Sequence, residues 1–286
     1  TIIGKGDTQT ITASGDLSGG TLTLTLTEAT KLSSLDISGV KGLSAATAID
    51  LKNVSVENKL IVDIQGSDAA ETITANSTSA TLTAITLSGD LGGGANTVTV
   101  APDAAAVAIT TIDLSGLSAT GGTLSGTITH NAAQTALTTI KGSAGNDTIT
   151  IGIANADLTV TGGAGNDVFN VTAAKIVTAN TPEHATITDF SAGDSIKFAA
   201  SVTAYKHSTV DLSGKADLKS AIAAVLTDSD EATTVYGFTY NNESYLYYNV
   251  ATTTATAAAN DVLVKLTGTT VDLDSLTVTN NDIVFA

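Results

Sequence analysis

The sequence predicts an all-β protein: a parallel β-solenoid of the β-helix or β-roll kind, followed by a small β-rich C-terminal cap with one helix. Three observations predict it. Apolar and hydroxyl residues alternate with period two, as in Thr21-Leu22-Thr23-Leu24-Thr25-Leu26-Thr27, which is the pattern of half-buried strands. A strand-then-glycine phrase returns as Leu35-Asp36-Ile37-Ser38-Gly39, Val62-Asp63-Ile64-Gln65-Gly66, Ile85-Thr86-Leu87-Ser88-Gly89, Ile112-Asp113-Leu114-Ser115-Gly116 and Ile140-Lys141-Gly142, in steps of 27, 23, 27 and 28 residues. Aromatics are 4% of 286 residues and hydrophobic residues 42%, so the core must be a thin ladder of small side chains.

A recurrence of this length, with one strand and one turn per copy, suits coils that stack on one another, an arrangement that the small residues Ala, Thr, Ser and Gly suit because the interior is narrow. An antiparallel β-sandwich, whose strands also recur between turn signals, is the rival reading. The texture changes near residue 185, so the expected division is a solenoid over 1–185 and a cap over 186–286. In the cap, Leu218, Ala221, Ile222, Val225 and Leu226 recur at spacings of three and four, which predicts a helix capped by Ser213. Val235–Tyr240 and Ser244–Tyr248 flank Asn241-Asn242-Glu243 and predict a hairpin whose tyrosines form the core of the cap.

Charge and composition exclude whole classes of function. Twelve Lys and no Arg stand against 28 Asp and Glu, a net charge of −16, so a phosphate backbone meets a repulsive field and nucleic acid is ruled out as a partner. Divalent cations fit that field. With no Cys there is neither a disulfide frame nor a thiolate metal site. The longest apolar runs, Ala104–Ile109 and Ala221–Leu226, fall far short of the ~20 residues that cross a bilayer, so no membrane span is expected. The sequence begins at Thr1 and contains no Met; no signal peptide is visible in it, and it is expected to be part of a longer chain.

Catalysis is not expected. His130, His184 and His207 form no H-E-x-x-H arrangement and no G-x-S-x-G elbow occurs, so neither a zinc protease nor a lipase is expected and no residue is assigned a catalytic role. The three His are expected to be surface residues, with His184 beside Glu183 able to touch the cap.

Two nine-residue stretches carry the chemistry: Gly142-Ser143-Ala144-Gly145-Asn146-Asp147-Thr148-Ile149-Thr150 and Gly162-Gly163-Ala164-Gly165-Asn166-Asp167-Val168-Phe169-Asn170. Both follow the template G-G-x-G-x-D-x-(apolar)-x. Glycine allows the turn and presents carbonyls, Asp adds a carboxylate at its end, and the apolar residue opens an inward-facing strand. Stacked turns of this kind make an oxygen cage, and Ca²⁺, which accepts six to eight oxygens in loose geometry, suits it better than magnesium. Between the repeats, Asn155 and Asp157 are weak candidate ligands. Gly66–Ile73 and Gly92–Val98 look like eroded copies. An ordinary Gly-Asn-Asp turn is the alternative for each.

These repeats resemble those of the RTX (repeats-in-toxin) family, calcium-binding proteins exported by type I secretion. Ile187-Thr188-Asp189-Phe190-Ser191-Ala192-Gly193-Asp194-Ser195-Ile196 resembles the segment that follows such repeats, and Asp282-Ile283-Val284-Phe285 resembles an uncleaved export signal. The Thr, Ala and Gly-rich texture is similar to RTX-type bacterial surface-layer (S-layer) proteins. The resemblance implies calcium on the carbonyls of Gly142, Ala144, Gly145, Gly162, Gly163, Ala164 and Gly165 and on the carboxylates of Asp147 and Asp167; Ser143 departs from the template's second Gly. Asp189 and Asp194 are secondary ligands or, alternatively, turn caps. It further implies a secreted, structural cell-surface protein that self-assembles into a lattice when calcium binds, with partners in the type I secretion machinery and in cell-surface lipopolysaccharide through a part of the protein outside this sequence. An RTX adhesin for a host surface or glycan, or the export domain of a secreted protein, are the alternatives.

Overall fold

In the computed structural model the described residues are 10–20, 23–25, 34–43, 48–50, 59–67, 70–75, 80–104, 106–131, 133–152, 158–173, 182–199, 201–228, 230–250, 261–267 and 271–285. The protein is mostly β, with one α-helix among the described residues. It divides into two compact units, residues 1–149 with 163–165, and residues 150–162 with 166–286.

In the first unit one sheet is built from β1 (Thr10–Gly20), β3 (Ser34–Leu43), β5 (Lys59–Ser67), β7 (Ala84–Gly92), β9 (Thr111–Ser118) and β11 (Thr139–Lys141) in that order. The second takes the intervening strands, β2 (Thr23–Thr25), β4 (Ala48–Asp50), β6 (Thr72–Ala75), β8 (Ala95–Val100), β10 (Thr123–Thr129) and the start of β12 (Thr148–Gly152). Neighbouring strands run parallel: Ile85 pairs with Ile112 and Ile112 with Ile140 in the first sheet, and Ile73 with Val98 and Val98 with Gly126 in the second. The recurring phrases of the sequence are therefore successive neighbours in one sheet; their first residues pair directly at three of the four steps, while Val62 pairs with Leu87, two residues beyond Ile85.

Alternation explains which side is buried. Along β7 to β11 alternate apolar side chains turn inward, so Ile85, Leu87, Val98, Val100, Ile112, Leu114, Ile128 and Ile140 form an apolar ladder with no solvent exposure beyond a trace. The opposite positions carry Thr and Ser, which suit a solvated pleat. All-parallel pairing removes the antiparallel sandwich as a description of this unit.

The second unit is mixed. β13 (Leu158–Thr161), β15 (Ala185–Ile187) and β20 (Val262–Leu266) pair in parallel, and β20 continues antiparallel into β19 (Glu243–Asn249) and β18 (Thr234–Tyr240), with β17 (Ala204–His207) parallel at the edge. A second sheet takes β14 (Val168–Ala173) and β16 (Ser195–Phe198) in parallel, then β22 (Asp282–Phe285) and β21 (Leu276–Thr279) antiparallel.

The helix α1 (Leu218–Asp228) and the hairpin β18–β19 fall where the sequence places them. Asn241 and Asn242 have φ of 51° and 62°, the left-handed pair of a two-residue type I′ turn, which Asn tolerates better than other side chains. Ala221, Ile222, Val225 and Leu226 bury the helix against Tyr236, Phe238, Tyr240, Tyr245 and Tyr247, so the tyrosines are core. The helix start differs from expectation. Asp217 accepts the Ser220 N–H at 2.7 Å and is the cap, while Ser213 lies in a preceding turn closed by Asp211. Both residue types cap helices, and the sequence pattern did not discriminate between two positions four residues apart.

The histidines also depart in part from expectation. His130 is buried, 4% exposed. His184 meets Tyr245 edge-on with ring centroids 6.0 Å apart, and His207 Nδ1 lies 2.6 Å from Asp274 Oδ1.

Candidate metal centre

The turn of the first repeat is tied from within. Asp147, 1% exposed, closes Gly142–Asn146: its Oδ2 accepts the Ser143 N–H at 2.5 Å and its Oδ1 accepts the Ser143 hydroxyl at 2.9 Å. The same Oδ1 accepts the Gly126 N–H at 2.7 Å from the preceding strand of the sheet. Ser143, the one departure from the template, thus supplies a second donor to the carboxylate. Burial pushes the Asp147 carboxyl above its ordinary range, against the opposing pull of the Ser143 and Gly126 donors. A buried anion of this kind is stabilised by a nearby cation.

With the N–H side of the turn held by Asp147, backbone carbonyls face the next turn. An ideal Cβ built on Gly163, at φ +109°, would lie 2.0 Å from the Ser143 oxygen, and one on Gly165, at φ +118°, 2.6 Å from the Gly145 oxygen and 2.8 Å from Asn146 Oδ1. The 163–165 turn therefore lies directly on the 143–146 turn, and only glycine admits that approach. The template glycines are there for distance as much as for conformation.

The second unit repeats the device. Asp167 is 1% exposed, and a Cβ on Gly162 would sit 2.2 Å from its Oδ2, so this carboxylate also folds back on its own turn. Asp189 Oδ1 accepts the Gly162 N–H at 2.8 Å, and Asp194 Oδ1 accepts the Asp167 N–H at 2.8 Å. Asp194 Oδ2 accepts the Ser191 N–H at 2.8 Å. Burial pushes the Asp194 carboxyl upward, with the Asp189 charge adding to it and the donors from Asp167 and Ser191 opposing. Gly193, at φ +99°, lies against Asn166 Oδ1 as Gly165 lies against Asn146 Oδ1. The Asp189–Asp194 segment is thus a third turn of the same construction, and both carboxylates cap turns with part of their oxygen shell.

No protein-family model matches the chain, and no curated protein matches it.

The predicted site residues fall into two groups. Gly142, Ala144, Gly145 and Asp147 lie with Gly163, Ala164 and Gly165 in the first unit; Gly162, Asp167, Asp189 and Asp194 lie together in the second. Asp157 and Asn155 are outside the described residues. Among the described residues no three His, Cys, Asp or Glu side chains converge, so carboxylates alone make no metal cluster. The donor set is instead turn carbonyls and buried carboxylates, oxygen throughout, which is the chemistry a hard cation such as calcium takes. The residues present fit the ion. The sequence marks Gly92–Val98 as an eroded copy of the repeat but gives Asn96 no role of its own; its bond to the Glu71 N–H becomes visible only when that stretch is set in register with the strand before it.

Proposed function

We propose that this chain is a calcium-dependent structural segment of a secreted bacterial surface-layer protein of the RTX type, folding and self-assembling outside the cell. The observation that carries the reading is the glycine-only contact of the 163–165 turn on the 143–146 turn, whose end carries the buried carboxylate of Asp147. Parallel strands that alternate between two sheets support a β-solenoid, in which each coil contributes one strand to each sheet.

Calcium would be held by the carbonyls of Gly142, Ala144, Gly145, Gly162, Gly163, Ala164 and Gly165 and by Asp147 and Asp167, with Asp189 and Asp194 next in line. When bound, it supplies positive charge to buried carboxylates and fixes the carbonyls of successive turns. The chain's own residues do the rest. Asp147 and Asp194 hold their turns closed from the N–H side, and the glycines allow the turns to meet. In a compartment low in calcium the carboxylates repel, which keeps a chain bound for type I export open. At ~1 mM calcium and a dissociation constant of ~0.1 mM, linkage contributes about 1.4 kcal/mol per site. Net charge of −16 opposes association of copies until cations screen or bridge it.

The test is to add calcium to the purified chain and follow particle size and electron micrographs. Ordered sheets are expected. A folded monomer would move the reading to an adhesin or export module, and no response to calcium would refute all three.

A further inference from the structure

Upstream of the two repeats, the turn Gly92-Gly93-Gly94-Ala95-Asn96 carries Asn where the repeats carry Asp. Asn96 is 1% exposed, and its partners fix which end of the amide is which. Oδ1 accepts the Glu71 N–H at 2.8 Å, while Nδ2 donates to the carbonyls of Gly93 at 3.1 Å and Gly92 at 3.4 Å. The reverse assignment would set N–H against N–H and oxygen against oxygen.

The comparison with Asp147 and Asp194 is direct. All three side chains reach back to accept an N–H from the preceding parallel strand or its turn: Glu71 for Asn96, Gly126 for Asp147, Asp167 for Asp194. They treat their own turns in opposite ways. The carboxylates of Asp147 and Asp194 accept the turn's N–H groups, at Ser143 and Ser191. The amide of Asn96 instead donates to the turn's carbonyls. The third carbonyl of that turn, Gly94, accepts the Thr123 N–H at 2.8 Å. Thus three successive carbonyls of the 92–94 turn all meet protein donors. The next turn is held on by the protein as well, because Asp90 Oδ1 accepts both the Gly92 N–H at 2.9 Å and the Thr120 N–H at 2.8 Å.

We propose that Asn96 is a built-in substitute for the cation: its amide holds the turn carbonyls that a cation would otherwise hold, so the 92–96 turn closes without calcium and the requirement for the ion begins at Gly142. This rests on the calcium reading of the 142–147 and 162–167 turns and adds to it the residue that decides which turns take the ion. Carboxylate for amide is the decisive change, since an Asp at this position would set anionic oxygen against the Gly92 and Gly93 carbonyls and leave them without a donor.

Hydrogen exchange on the intact chain, with and without calcium, tests it. In the wild type, amides of 92–97 and Thr123 are expected to be protected equally in chelator and in calcium, whereas those of 142–149 and 162–169 gain protection only with calcium. In Asn96→Asp, exchange over 92–97 is expected to accelerate in chelator on the order of tenfold, the scale of a buried hydrogen-bonding group left unsatisfied, and to return to the wild-type rate when calcium, but not potassium, is added. Asn96→Ala is expected to lose the same protection without recovery by calcium. The proposal is overturned if Asn96→Asp in chelator exchanges like the wild type, if its loss is not reversed by calcium, or if the wild-type 92–97 turn itself needs calcium. A wild type whose 142–169 region ignores calcium would refute the reading of the repeats, and Asn96→Asp would still report on its own turn.

Discussion

Gly163 shows how single residues set the terms of this fold. A methyl group there meets the Ser143 carbonyl at 2.0 Å and also strains a φ of +109°. Gly163→Ala should therefore destabilise the chain by about 2 kcal/mol or more in thermal or urea unfolding. Gly214→Ala is the control, because nothing lies within 4 Å of its added carbon, and it should stay within about 0.5 kcal/mol of the wild type. His130 governs a pH effect. Its Nδ1 is buried without a hydrogen-bond partner, its Nε2 lies 3.4 Å from the Gln134 oxygen, and burial holds the imidazole below its usual range. The unfolded chain takes up a proton near pH ~6.5 and the folded chain resists it, so this group lowers stability as pH falls below about 6.5 and ceases to do so below its folded pKa. Unfolding measured between about pH 7 and 5 should show that slope, and His130→Gln should flatten it. Nothing in the sequence near His130 marked it as buried, because its burial depends on Gln134 reaching back to the Pro102 and Asp103 carbonyls.

Elements were legible where a periodicity is local and obscure where the partner is distant. The helix over Leu218–Asp228 and the Asn241-Asn242 hairpin could be read because a spacing of three and four, or a two-residue turn, lies within a short window. Ile222→Ala should destabilise by about 2–4 kcal/mol in chemical denaturation, since Ile222 is fully buried among Tyr236, Phe238 and their neighbours. Asp217→Ala should lower helix stability, whereas Ser213→Ala should leave it unchanged; the first removes an acceptor for the Ser220 N–H and the second does not. The Asp189–Asp194 turn was legible only as a resemblance. Its role emerges from β14 pairing with β16, which sets Asp194 beside the Asp167 N–H across 27 residues.

At the scale of the molecule, sequence spacing conceals regularity that the sheets restore. The recurring phrases return at unequal steps, yet Ile85, Ile112 and Ile140 fall in register in one sheet, because the extra residues lie between strands. The all-β class followed from alternation; one strand and one turn per copy were expected, whereas a strand of the second sheet lies between successive strands of the first. How the 92–96 turn differs from the two repeats did not follow, since Asn and Asp look alike in a sequence template, whereas the Asn96 amide donates to its turn's carbonyls and the Asp147 carboxylate accepts its turn's N–H. The most direct test of the account is calorimetric titration of the purified chain with calcium, against magnesium as control, for the wild type and Gly163→Ala. The account predicts saturable calcium binding with a dissociation constant between about 0.01 and 1 mM, weaker binding in Gly163→Ala and little response to magnesium. Absence of calcium binding at millimolar concentration, or equal binding of the two ions, would contradict it.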